Sequence, residues 1–337
     1  MHKYKIALCI PTTESSDYIA VTLRKLTPEI NLITEKTFQV TLVVCVNGIN
    51  ADLTADALAS YQKKTLFDLI VLQSGSKGKN KAINAMVKYC KQYNYDILHF
   101  LDDDINVSAG SILANIRALI DSKDNTSIPT ISGSNFYAKK HTFAYIAAQM
   151  PISKAIVQYF LQEVYMVPFS KNSDINLFLS GQSMCVWAEQ CPTLPDDSSG
   201  IADDAFLSNY YALQNKPYEK ASNIIKVESS IIYFYVPYSF EEWKSQQKRI
   251  MIGVERSFLY FHENYDYLQK LFMYRYSEFK KYRKNNRPIS IKNRLLLIVF
   301  RHFQKIILKE AAKDFHSSTG VRWEQIKTCK PRVDVDL

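Results

Sequence analysis

Glycine is scarce in this chain, 9 of 337 residues, and no GxxxxGK[ST] segment occurs, so phosphate is not held by a Walker-type loop. The six cysteines (Cys9, Cys45, Cys90, Cys185, Cys191 and Cys329) show no CxxC spacing, and several sit inside apolar runs. A zinc site or a disulfide framework is therefore not expected; buried, reduced thiols are. There is no stretch of 18 apolar residues, which excludes a conventional transmembrane helix. The opening MHKYKIALCIPTT runs straight into a strand pattern without a signal-peptide core, so the expected location is cytoplasmic. Internal repeats and low-complexity segments are absent as well.

Charge is unevenly distributed. The chain carries a net +9, yet residues 1–242 hold 21 Lys and Arg against 24 Asp and Glu, and residues 243–337 hold 21 against 9. The basic C-terminal part implies either an anionic partner or a solvated basic surface. Hydrophobic residues make up 47%, enough for a sizeable core.

Strand and helix signals alternate over the first half: YKIALCIP (4–11), SDYIAVTLRKL (16–26), FQVTLVVCVN (38–47), ADLTADALASYQ (51–62), FDLIVLQ (67–73), GSKGKNKAINAMVKYCKQY (75–93) and DILHFLD (96–102). This order predicts βαβ units and a mainly parallel sheet with ligands at the strand C-terminal ends. Beyond residue 130 the pattern is mixed. PTISGSNFY (129–137), INLFLSGQSMCVW (175–187) and ASNIIKVESSIIYFYVP (221–237) read as strands, and 142–167 as a helix interrupted at Pro151. Helix dominates from 239 onward. Two parts are expected: an α/β domain over 1–240, with halves near 1–104 and 105–240, and a helical basic region over 241–337.

Four constellations carry chemistry. In ILHFLDDDINV (97–107) a buried strand runs into Asp102, Asp103 and Asp104. Like charges so close raise one another's pKa unless a cation offsets them. Helix capping is one reading; a divalent metal such as Mg²⁺ or Mn²⁺ is the other, with Asp102 and Asp104 facing the same way along an extended segment. In GSKGKNKAIN (75–84), Lys77, Lys79 and Lys81 surround Gly78 at a helix start. That suits a diphosphate, or simply a basic helix terminus on the surface. In ADDAFLS (202–208), Asp203 and Asp204 open a helix, as caps or as a general base with a raised pKa. In SQQKRIMIG (245–253), Gln246 and Arg249 share one helix face.

The order of these segments resembles the inverting family 2 glycosyltransferases, the cellulose- and hyaluronan-synthase relatives, over roughly residues 5–253. The shared features are IPTTESSDYI, a second strand ending VNG, a GKxxAxN loop-helix, Asp-x-Asp, a GQS strand, an acidic pair before AFLS, and QxxR. The resemblance implies a GT-A fold: a nucleotide-sugar-binding mixed sheet flanked by helices, here with a helical basic C-terminal extension. It implies that Pro11, Thr12, Glu14, Asn47, Lys79, Asn84, Asp102 and Asp103 line the donor, and that Asp102 and Asp104 hold Mg²⁺ or Mn²⁺. Asp204 would be the base, with Asp203 beside it. Arg249 and Gln246 would face the leaving group and the acceptor, and Gly181, Gln182 and Ile250 would lie on the acceptor side. The family has an aspartate at position 47 and a tryptophan at 250. Asn47 bears on uridine selectivity, and Ile250 argues against a processive polymerase.

The expected activity is therefore transfer of a sugar from a nucleoside-diphosphate donor, UDP by resemblance, to a glycan or lipid-linked acceptor. Two other readings stay open: a sugar-nucleotide nucleotidyltransferase, against which IPTTESSD offers no glycine-rich loop, and a non-catalytic nucleotide-sugar-binding scaffold. In the C-terminal region, Leu296, Phe300, Phe303 and Ile307 recur at helical spacing among Arg294, Arg301, Lys305 and Lys309. They predict either a membrane-surface helix, peripheral on the inner face of the plasma membrane, or a helix covering the core. Aromatic and basic residues also interleave over 256–285, but no recognition motif points to nucleic acid as a partner.

Overall fold

The computed structural model describes residues 3–13, 16–35, 38–48, 58, 67–75, 77–123, 127–166, 179–216, 223–273 and 291–317. The helix expected over 51–62 lies outside these residues except for the buried Leu58, as does the N-terminal part of the strand expected over 175–187.

Strands β1 (Lys5–Thr12), β2 (Gln39–Val46), β3 (Asp68–Gln73) and β4 (Ile97–Leu101) pair in parallel, in the order β3-β2-β1-β4. The sheet continues through β7 (Ser183–Trp187), β6 (Ile131–Ala138), β8 (Ile224–Phe234) and the two-residue β5 (Asn106–Val107). β7 is antiparallel to both β4 and β6, so one mixed eight-stranded sheet spans both halves of the expected domain.

Both faces of the sheet are covered. Ile6, Leu8 and Ile10 of β1 pack with α1 (Ser16–Glu35) and α3 (Ser111–Lys123) on one side. Ala7 and Cys9 pack with α2 (Lys79–Gln92) and α6 (Asp203–Gln214) on the other. This is why the central strands read as near-continuous apolar runs. The helix α1 extends nine residues beyond the expected end at 26 and runs through Pro28. Its buried positions Ile30 and Ile33 keep the helical spacing beyond the proline and hold the last turns against the sheet. The five described cysteines are buried and unpaired.

A smaller core joins the C-terminal region to the body. Two short helices, α4 (Phe143–Ala147) and α5 (Ile152–Met166), flank Pro151. Helix α7 (Phe240–Tyr260) is followed by α8 (residues 265–273) and the long α9 (Ile291–Ser317). Trp243 of α7 is fully buried, with the rings of Phe240 and Phe300 each 5.4 Å from its own. Lys244 pairs with Glu310 at 2.9 Å, and Lys248 pairs with Asp314. Leu296, Phe300, Phe303 and Ile307 all face this core. The stripe marked in the sequence therefore covers the domain. No helix among the described residues is long and apolar enough to cross a membrane.

Beneath the site, β4, β6, β7 and α3 share a polar network inside the core. Ser183 Oγ lies 2.9 Å from His99 Nε2, accepts from Asn115 Nδ2 at 3.2 Å and from Ser134 Oγ at 2.7 Å. Burial pushes His99 down to about 3, so it is neutral at working pH. Ser183→Ala leaves these buried groups short of a partner. It should lower unfolding stability by about 1–3 kcal/mol in urea melts. Because the folded-state pKa of His99 lies below that of the unfolded chain, its contribution to stability falls away as pH drops from about 6.5 towards 3.

Candidate active site

The C-terminal ends of β1, β2 and β4 lie side by side and set out the site. Pro11 and Thr12 end β1, opposite Cys45 and Val46 of β2. Asn47 follows directly, and its N–H donates to Thr12 O at 2.8 Å. The Asn47 side chain is buried, and its Oδ1 has no hydrogen-bond partner. Gln182 Oε1, on the bend entering β7, is also buried and unpartnered. Orphaned buried acceptors are costly in a native protein, and a donor N–H or O–H from a ligand would satisfy them. Glu14 lies outside the described residues.

The three aspartates after β4 occupy a turn, in place of the extended segment expected from their spacing. Asp103 turns inward and pins that turn. Its Oδ2 accepts from Thr12 Oγ1 at 2.7 Å, and its carbonyl accepts from Thr22 Oγ1 of α1 at 2.5 Å. Only 6% of Asp103 is exposed. Its carboxylate thus fastens the turn to β1 while Asp102 and Asp104 remain partly exposed.

A cation of the chain itself meets the first of these carboxylates. Lys79 Nζ, on the first turn of α2, lies 2.7 Å from Asp102 Oδ1 and 3.0 Å from Asp203 Oδ2. Burial pulls the Lys79 pKa down, but Asp102 and Asp203 more than offset that, and the ammonium is held charged. Even with this ammonium beside it, the Asp102 carboxyl is shifted upwards. Burial pushes Asp102 up to about 7, Lys79 draws it back, and Asp104 and Asp203 push it up again.

Asp203 and Asp204 begin α6 but do not act as its cap; the residue at that position is Ala202. Asp204 instead points across to β7. Its Oδ2 accepts from Gly181 N–H at 3.2 Å and its Oδ1 from Ala205 N–H at 2.8 Å. Burial and the neighbouring Asp203 push Asp204 up to about 6, against the pull of Lys79 and the two backbone donors. Gly181 lies close to the ion pair: a Cβ there would come 3.1 Å from Asp203 Oδ2 and 3.4 Å from Lys79 Nζ. A side chain at 181 would press on this arrangement, so glycine suits the position.

The start of α2 differs from its expected diphosphate-binding form. Asp197 caps it, with Oδ1 accepting from Asn80 N–H and Oδ2 from Lys81 N–H, both at 3.0 Å. Gly78 makes this approach fit. Its φ is +148°, and a Cβ would fall 2.1 Å from Asp197 Oδ2. Asn84 lies further along α2, where Nδ2 donates to Leu194 O at 2.9 Å and Oδ1 accepts from Leu194 N–H at 2.8 Å. Its amide holds the 194–201 loop to the helix. Lys81 pairs with Asp196 at 3.5 Å on the surface.

Gln246 and Arg249 lie on α7, one to two turns before Gly253 and on the same face, by their three- and four-residue spacing. Gly253 packs on Ala202, a Cβ at 253 coming 3.0 Å from that of Ala202, and Arg256 Nη1 donates to Ser199 O at 3.1 Å. This face of α7 thus meets the loop that leads into Asp203. Ile250 is turned towards solvent, 46% exposed.

Among the described residues, no three carboxylate, thiol or imidazole groups cluster closely enough to enclose a metal ion. A cation that takes one or two carboxylates and completes its shell with phosphate oxygens and water needs no such cluster. Asp102 and Asp104 fit that donor set. Burial, with Asp104 and Asp203 beside it, disfavours the charged form of Asp102, and a divalent ion there would favour it.

No protein-family profile matches the chain, and no curated protein matches it. Among solved structures, the mannosyltransferase PcManGT from Pyrobaculum calidifontis, in complex with GDP-Man and Mn²⁺, aligns with a TM-score of 0.56 and 12% identity. The match covers 94% of this chain and 88% of that one. The chain thus shares the fold of that mannosyltransferase. The likeness is one of fold alone.

Proposed function

We propose that the protein is a metal-dependent inverting glycosyltransferase that moves a sugar from a nucleoside-diphosphate donor to a hydroxyl of a glycan or lipid-linked acceptor. The observation behind this reading is the meeting of Lys79, Asp102, Asp203 and Asp204 at the C-terminal edge of β4, beside two buried amide oxygens without partners.

Asn47 Oδ1 accepts a ring N–H of the base. Both uracil and guanine offer one, so the UDP of the motif resemblance and the GDP-Man of the structural neighbour are both donors to test. Lys79 supplies fixed positive charge next to the diphosphate side. A divalent ion held by Asp102 and Asp104 would offset further charge developing on the leaving group. Asp204, held by Gly181 and Ala205, takes the proton from the acceptor hydroxyl as the new C1–O bond forms and the bond to the diphosphate breaks. Attack opposite the leaving group inverts C1 and gives a β-linkage from an α-linked donor. Arg249, on the α7 face that meets the 199–202 loop, faces the departing diphosphate, with Gln246 on the acceptor side.

The test is nucleoside diphosphate release from a panel of UDP- and GDP-sugars with Mn²⁺ or Mg²⁺. Release from one donor that depends on the metal and is lost in Asp102→Ala supports the reading. Pyrophosphate release would assign a nucleotidyltransferase instead. Absence of both turnover and metal-dependent nucleotide binding would overturn the proposal. The pH profile is a second check. Asp204 must be ionised to accept a proton, and its pKa is pushed up to about 6. Log kcat/KM should therefore fall with a slope near one below about pH 6 and level off above it.

A further inference from the structure

Helix α9 has a second apolar stripe, on the side away from the protein. Leu296, Phe300, Phe303 and Ile307 face the core. Ile291, Leu295 and Ile298 recur at four- and three-residue spacing on the opposite side and are 78, 59 and 63% exposed. Val299, beside them, is 43% exposed. Large aliphatic side chains so grouped on three successive turns form a patch, in contrast to the scattered exposed residues of an ordinary surface.

The same stripe continues as a basic one. Lys305, Lys309 and Lys313 follow at four-residue spacing, all exposed, with Arg301 exposed at its flank. The acids of this part of the helix lie elsewhere: Glu310 and Asp314 pair with Lys244 and Lys248 of α7.

We infer that the outward face of α9 lies on an anionic lipid surface, with Ile291, Leu295, Ile298 and Val299 entering the acyl boundary and the lysines meeting the headgroups. An apolar stripe continuous with a basic one is what an interfacial helix requires. A second copy of this chain is a poorer occupant, because pairing through the apolar residues of α9 gives the lysines no anionic partner, which a lipid headgroup layer does. This inference is independent of the proposed transfer reaction.

The test is co-sedimentation of the full chain with vesicles of phosphatidylcholine containing phosphatidylglycerol, and with vesicles of phosphatidylcholine alone. Binding should favour the anionic vesicles and weaken with salt. Leu295→Glu with Ile298→Glu should weaken it by about tenfold or more. Lys305→Glu with Lys309→Glu should remove the preference for anionic vesicles. All four side chains are exposed, so circular dichroism and the melting temperature should be unchanged in both variants. Two outcomes overturn the inference: no binding to anionic vesicles, or binding unaltered in both variants. A loss of self-association in the first variant, with no vesicle binding by the parent, would assign the face to a dimer instead.

Discussion

Asp204→Asn should lose sugar transfer by about 10²- to 10⁴-fold while keeping its fold and its donor affinity, the range expected when a positioned base is removed. The substitution retains the size of the side chain. An amide oxygen can still accept from Ala205 N–H, the shorter of the two bonds that orient the group. The second contact, from Gly181 N–H at 3.2 Å, would face an amide nitrogen and be lost. One such bond is worth about 1 kcal/mol, so the melting temperature should drop only slightly. The amide cannot accept the acceptor's proton at any working pH, and the limb near pH 6 should vanish from whatever rate remains. Donor affinity by calorimetry and product formation in single turnover separate binding from chemistry. A kcat within tenfold of the parent would show that the proton leaves by another route, and Asp204 would then be a group that only positions Gly181.

Some of this site could be read along the chain and some could not. β4 ending in three aspartates is a local pattern, and its place at the ligand-binding edge follows from the βαβ order. Asp203 and Asp204 are legible in the same way, as a pair of acids at a helix start. What joins the two is Lys79, 23 residues before Asp102 and 124 before Asp203, and no local spacing announces that contact. Asp197 is harder still. PDDSSG (195–200) reads as a turn, and nothing in its composition says that its second acid caps a helix more than 110 residues earlier. Asp103 is legible in part: alternation turns it away from Asp102 and Asp104, but nothing local names Thr12, 91 residues earlier, as its partner. The outer stripe of α9 is hidden for a related reason. The helix is apolar on two sides, and spacing alone does not tell which side meets the core.

Lys79→Met should produce the largest loss of stability among single substitutions at the site. It removes the ammonium between Asp102 and Asp203, whose side chains are only 24% and 4% exposed. Breaking a buried pair by deleting one partner costs about 3–5 kcal/mol, since the remaining charge is left without compensation. Asp102 can escape part of that cost by taking up a proton, which makes the effect depend on pH. Asp102 already has a folded-state pKa of about 7, above its ordinary value of 3.8. Without Lys79 it must rise further. The sign follows from proton linkage: the folded chain holds a proton on Asp102 that the unfolded chain has released, so stability is greatest below about pH 4 and falls as pH rises through the folded-state value. The variant should therefore melt close to the parent at pH 5 and well below it at pH 8. Adding Asp102→Asn removes one of the stranded charges and should recover part of the loss at pH 8, as neutral replacement of a buried pair commonly does. Thermal melts of the parent, the single variant and the double variant at both pH values provide the check. Equal melting of parent and Lys79→Met at pH 8 would mean that Lys79 does not act as the counter-ion of this cluster, and the charge on Asp102 and Asp203 would have to be balanced by other groups.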